Sequence, residues 1–235
     1  MTMKKFAQGL IVTVALCLSA TAGRAQNSLV YLVGGGSSLR DPRSFREANV
    51  PYSTAYASGY RGIGGIEVPL KKSKIFGLEG SFAYGQNNLR LSKLDVNPVL
   101  VKSYGLRDSR VSGDIVAHSP SAYRGARPYM VFGVEYDRFS PSRSATTLAT
   151  TTGFAYAPVA KLASEGDGGV NFGGGIDLKV SSKLGLRLDV RDHVTSSPTL
   201  GLPNASTRTS LAYFPISGPA HDVEYSIGFV YHFGK

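Results

Sequence analysis

Apolar and polar residues alternate with a period of two along most of the chain beyond residue 26, the signature of strands with two different faces. The last segment shows it best. Val223, Tyr225, Ile227, Phe229, Tyr231 and Phe233 share one face, and Glu224, Ser226, Gly228, Val230 and His232 share the other. A helical period of 3.6 would scatter those aromatics around the axis. The same alternation sets Leu184, Leu186, Leu188 and Val190 against Gly185, Arg187, Asp189 and Arg191. It sets Val170, Phe172, Ile176 and Leu178 against Asn171, Gly173, Gly175 and Asp177. Met130, Phe132, Val134 and Tyr136 oppose Val131, Gly133 and Glu135, and Phe76, Leu78, Phe82 and Tyr84 oppose Gly77, Glu79, Ser81 and Ala83. Weaker versions run over 28–36, 58–69 and 109–118. The pattern predicts eight strands, each roughly the 9–11 residues that a tilted membrane strand needs.

The expected connections alternate in length. Those near 70–74, 119–127 and 181–182 are short, whereas those near 37–57, 86–108, 141–167 and 195–221 are long and rich in Ser, Thr, Arg, Pro and Gly. Short turns on one side and long loops on the other belong to barrels of the bacterial outer membrane, and an even strand number returns both ends to the periplasmic side. The expected fold is therefore all-β: a single antiparallel up-and-down transmembrane barrel of about eight strands over 26–235.

Alternation alone leaves a soluble, lipocalin-like barrel open, because that fold alternates with its apolar face inward. Three features favour a membrane. Aromatics (Tyr31, Tyr84, Tyr136, Tyr225, Tyr231, Phe233) end the apolar face like an interfacial girdle. The polar face is rich in glycine, which suits a narrow lumen. It also carries charges of both signs well inside the strands: Glu67, Glu79, Asp114, Glu135, Asp177, Lys179, Arg187, Asp189, Arg191 and Glu224. An eight-stranded barrel has room inside only for its own side chains, and an isolated buried charge costs several kcal/mol. These ten residues are accordingly expected to pair, with Arg187 and Arg191 set against Glu79, Glu135, Glu224 or Asp189, and so to close the lumen.

The first residues add the compartment. Lys4 and Lys5 precede an apolar run from Phe6 to Leu18 and a small-x-small site ending at Ala25. This reads as a cleaved secretory signal over 1–25, with Gln26 the first mature residue; an uncleaved anchor is the alternative, although the run is shorter than the roughly 20 apolar residues of a membrane helix. The single Cys17 lies inside it, which excludes a disulfide scaffold. The formal charge of +10 points in an exported chain to anionic lipid headgroups rather than nucleic acid. Arg40, Arg43 and Arg46 in the first loop, and Arg90, Lys93, Lys102, Arg107 and Arg110 around the second, are candidates to bridge lipopolysaccharide phosphates; solvated loop charges are the equal alternative.

The segment Arg127-Pro128-Tyr129-Met130-Val131-Phe132-Gly133-Val134-Glu135-Tyr136 and the terminal Tyr231-His232-Phe233 resemble outer-membrane β-barrel domains of the outer membrane protein A type, over essentially all of 26–235. The resemblance implies that Phe233, with Tyr231 and Phe229 before it, is read by the barrel-assembly machinery. Gly234 and Lys235 follow it here, a departure from the family pattern. Larger members add a peptidoglycan-binding domain after the barrel; this chain ends at the barrel, so such anchoring is not implied.

Three functions follow: a structural or surface-interaction barrel, expected to be monomeric; a narrow channel for small solutes; or a lipid A-modifying enzyme. For the last, Asp192-His193 followed by Thr195, Ser196 and Ser197 is the best constellation, because a nucleophile needs a base beside it. His193 shares parity with inward Arg191 and reads as a rim histidine in a polar loop, His221 also lies towards the external rim, and His118 and His232 fall at periplasmic ends. The expectation is no catalysis, no cofactor and no metal, since ligand-spaced His or Cys pairs and a phosphate-binding glycine loop are lacking.

Overall fold

A computed structural model describes residues 28–40, 43–47, 50–70, 73, 75–93, 99–123, 125–146, 161–202 and 218–233. The expected signal segment with Ala25 and Gln26, most of the Ala/Thr-rich stretch 145–152, and Gly234-Lys235 lie outside them, as do the side chains of Arg40, Arg43, Arg46, Lys93 and Lys102.

The chain forms β1 (Leu29–Arg40), β2 (Arg43–Glu47), β3 (Val50–Pro69), β4 (Phe76–Lys93), β5 (Val99–His118), β6 (Ala126–Pro141), β7 (Glu165–Lys179), β8 (Leu184–Ser196) and β9 (Pro219–His232). Each pairs antiparallel with its sequence neighbour, β1 pairs with β3, and β9 returns to β1 to close the sheet. β2 prolongs the β1 side of the β1–β3 hairpin beyond the barrel, so eight staves form the closed wall. Closure is what a membrane demands, because an open edge would leave backbone N–H and C=O groups without partners in lipid.

The pairings also fix the stagger. One circuit along the ladder from Leu29 passes Glu67, Glu79, Asp114, Gly133, Asn171, His193 and Asp222, and returns to β1 at Leu39, ten residues above its start. Such a stagger over eight strands implies a tilt of about 40°. All the polar side chains on that path point inward, so the alternation and the stagger together wind a stripe of carboxylates through the lumen.

The polarity is inverted relative to a soluble barrel. Leu32, Met130, Phe132, Val134, Ile227 and Phe229 are each more than half exposed, whereas Arg187, Asn171 and Asp137 are fully buried. At roughly 25 cal/mol per Å2 of apolar surface, a wet exterior of this kind would be costly for a soluble chain. In lipid it is the required surface.

The long connections expected near 37–57 and 86–108 are largely strand. β4 and β5 extend over 18 and 20 residues, well beyond the 9–11 that span a bilayer. Above the membrane both faces of such a hairpin meet water, so the hydrophobic alternation that marks a strand disappears while the backbone ladder continues. Tyr31 also departs from expectation. It is buried in the lumen rather than part of the girdle, because β1 is apolar on both faces and its pattern does not choose between them. The short connections join Pro69 to Phe76, His118 to Ala126 and Lys179 to Leu184.

Candidate functional site

The lumen is the site where polar chemistry gathers, and it is organised by four arginines. Arg187 on β8 stands between the rings of Tyr31 and Tyr129, at 4.5 and 4.6 Å from their centroids. Its guanidinium donates to Asp177 through Nε at 2.8 Å and Nη2 at 3.0 Å, to Glu79 at 2.9 Å and to Glu67 at 3.2 Å. The planar, five-donor group suits this crowded geometry in a way that lysine cannot. Arg191, two positions further along the same face of β8, donates to Glu79 at 2.7 Å, to Asp114 at 3.2 Å and to both oxygens of Asp189 at 2.8 and 3.1 Å. Glu79 thus ties the two arginines together, and it also accepts the Tyr31 hydroxyl proton at 2.7 Å. The Tyr129 hydroxyl donates to Asp189, and the Asn171 amide and Ser112 hydroxyl complete Asp114 at 2.8 and 2.7 Å.

A second cluster lies nearer the external end. Arg61 pairs with Asp108, with Asp222 at 2.8 Å and with Glu224 at 2.8 Å. Arg110 pairs with Asp137 at 2.7 Å and Asp222 at 3.0 Å, with Glu224 and Glu135 at 3.5 and 3.8 Å. The Nδ1 of His193 lies 2.6 Å from Glu135. At the periplasmic end the Nε2 of His118 is 2.6 Å from Glu67. Space for these large groups comes from glycine on neighbouring strands. Gly175 faces Tyr129, where a Cβ would fall 2.7 Å from the phenol Cζ, and Gly173 faces Arg191, where it would meet the side-chain Cγ at 3.1 Å.

Of the ten residues singled out from the sequence, Glu67, Glu79, Asp177 and Arg187 meet in one cluster, to which Arg191, Asp114 and Asp189 are joined through Glu79. Glu135 and Glu224 belong instead to the upper cluster, with Arg110 and Arg61. Lys179 is exposed; it is the last residue of β7, where the strand has already left the packed lumen. Arg110, expected among the loop charges, is buried inside (2% exposed), because β5 continues inward-facing parity from Asp114 through Ser112 to Arg110. His193, expected at the rim, is likewise buried within β8. Arg61, Asp108, Asp137 and Asp222 are lumenal as well, unexpected from the sequence although each stands an even number of residues from a lumenal acid on its own strand (Glu67, Asp114, Glu135 and Glu224).

The constellation considered for catalysis is divided by the strand. Asp192 points outward and lies 2.9 Å from the exposed His221, while His193 points into the lumen. The aromatic end of β9 is outward: Phe229, Tyr231 and Phe233 are 67, 38 and 37% exposed, and the last two rings meet edge-on at 5.2 Å.

A closed barrel with charged tyrosine-lined interior and apolar aromatic exterior is an integral outer-membrane protein. A family model of the outer membrane protein beta-barrel domain matches residues 9–233, and the chain belongs to that family. Among solved structures it is similar to the outer membrane protein OprG of Pseudomonas aeruginosa, with a TM-score of 0.53 and 12% identity over 90% of this chain and 97% of that one. It is also similar to Neisserial surface protein A, with a TM-score of 0.49 and 10% identity over 88% and 97% of the two chains. No curated protein matches it in sequence.

Proposed function

We propose that the chain is a structural, surface-displaying barrel of the outer membrane whose lumen is closed by its arginine–carboxylate clusters. One observation carries this reading. The cavity left between Tyr31, Arg110, Arg187, Arg191, His193 and Glu224 is about 10 Å3, at the lower limit for a single water molecule. The three arginines that bound it, Arg110, Arg187 and Arg191, are each tied to two or more carboxylates, so opening a path would break several buried pairs at once. A larger cavity of about 540 Å3, lined by Leu29, Glu67, His118, Arg127 and His232 among others, forms a vestibule at the periplasmic end. The reading carries no catalytic role, and the placement of Asp192 and His193 on opposite faces of β8 lends none to that constellation. Contacts with the surroundings then fall to the outer wall and the long external hairpins, and the outward aromatics through Phe233 serve assembly. The deciding experiment is planar-bilayer recording of the purified, refolded protein. The closed reading expects no steady ion current; stable single-channel currents would establish the channel reading in its place.

A further inference from the structure

The outward face of β5 and β6 changes character over one residue step. Val111 and Tyr136 are cross-strand partners at the top of the apolar belt, Ser109 and Arg138 pair immediately above, and Arg107 and Ser140 pair above those. Arg107 and Arg138 are therefore diagonal neighbours on adjacent strands, with Cβ atoms roughly 7–8 Å apart or less, within reach of long side chains. Arg107 is exposed and Arg138 half-buried.

The pair has no acid beside it on the sheet. Its flanking outward positions are Gln86 across from Arg107, Tyr84 across from Ser109, and Gly166 across from Arg138. Each arginine does have an acid next to it in sequence, Asp108 and Asp137, but the period-two pleat sends those inward. There Asp108 is held by Arg61 and Asp137 by Arg110. The same imbalance recurs elsewhere: among the described residues ten carboxylates but only four arginines are buried in the lumen. Among the described residues, then, no acid faces Arg107 or Arg138 on the outer wall, which leaves the pair open to a counter-charge from the surroundings.

The girdle identifies what lies there. Tyr84 and Tyr136 are 52 and 47% exposed, and outward tyrosines at a barrel rim mark the headgroup level of the leaflet. Arg138 stands two residues above Tyr136 on the same face. We propose that Arg107 and Arg138, with the hydroxyls of Ser109 and Ser140, form a wall site for the phosphate of an outer-leaflet glycolipid. Two guanidinium groups suit an anion with several acceptor oxygens, which each can bind bidentately. This inference rests on the outer-membrane location alone, so it stands or falls independently of whether the lumen conducts.

The test is native mass spectrometry of the refolded full chain in detergent with bisphosphorylated lipid A, its dephosphorylated counterpart, and inorganic phosphate as competitor. Wild type should bind the bisphosphorylated lipid, and Arg107→Gln/Arg138→Gln should weaken that binding on the order of tenfold or more. Lys183→Gln, an exposed cation of the β7–β8 turn at the opposite, periplasmic end, should leave it unchanged. The singles Arg107→Gln and Arg138→Gln, each checked for heat-modifiable migration, cover the case in which the double variant does not fold; each should weaken binding. Equal binding of both lipids by wild type, unchanged binding in the charge-removed variants, or an equal loss in Lys183→Gln would overturn the proposal. So would displacement of the lipid by millimolar inorganic phosphate, which would assign the pair to a soluble anion.

Discussion

Arg187 reaches Glu79 at 2.9 Å across the full width of the barrel, from β8 to β4, which are four staves apart in either direction around the wall. No sheet hydrogen bond joins these strands. The pair is a strut between opposite walls, and it is shielded from water by Tyr31 and Tyr129 on its two faces.

Breaking the strut on one side leaves a buried charge without its partner. Arg187→Met and Glu79→Gln should each lower the unfolding free energy by about 3–5 kcal/mol, as expected when one member of a buried pair is removed. Urea unfolding in lipid vesicles, followed by heat-modifiable migration, reads this directly. A double-mutant cycle on the two should return a coupling of about 0.5–3 kcal/mol.

The corresponding cycle between Arg187 and Glu224 should return a coupling near zero. Glu224 pairs with Arg61 at 2.8 Å, and the β9 residue opposite Arg187 is Gly228, four positions away. A strong Arg187–Glu224 coupling would mean that the two clusters act as one network.

The seam that closes the barrel depends on close approach of β1 and β9. A Cβ at Gly228 would meet the Leu32 carbonyl oxygen, and one at Gly35 the Tyr225 carbonyl oxygen. Gly228→Val should therefore reduce the yield of the heat-modifiable folded form. Gly62→Ala is the control, since nothing lies within 4 Å of the added atom. Equal yields from the two variants would show that the seam tolerates a side chain.

A charge on the outer wall should be costly in proportion to depth. Phe132 is 59% exposed and lies midway along the apolar face of β6. Phe132→Arg should destabilise the refolded protein by about 2–4 kcal/mol, the range for a cation at the midplane of a barrel. In a soluble barrel the same substitution on an exposed residue would cost almost nothing.

Most of the fold was legible because a membrane barrel writes its two faces into every strand. The stretch from Met130 to Tyr136 is unambiguous, with apolar residues outward and Val131, Gly133 and Glu135 inward. Legibility fails where the contrast between faces fails. β1 is apolar on both, so its pattern alone does not show that Tyr31 faces the lumen. The upper halves of β4 and β5 mix polar and apolar residues on both faces, so the pattern there does not separate strand from loop. Arg110 and His193 lie in the lumen and not in loop and rim as the pattern predicts, because the strands carrying them continue further than the alternation does. Arg61, Asp108, Asp137 and Asp222 had a usable signal in their parity. What parity cannot supply is which arginine meets which acid, because that depends on the ten-residue stagger, and the stagger is a property of the closed barrel.

The inverted polarity of the wall is the claim on which everything else depends, and the chain's lack of tryptophan makes it directly measurable. Single tryptophans placed at positions 130, 131, 132 and 134 of β6, refolded into vesicles of brominated lipid, report contact with acyl chains by fluorescence quenching. Strong quenching for Met130→Trp, Phe132→Trp and Val134→Trp, with little for Val131→Trp, is the predicted result; uniform quenching, or quenching of Val131→Trp alone, would contradict it.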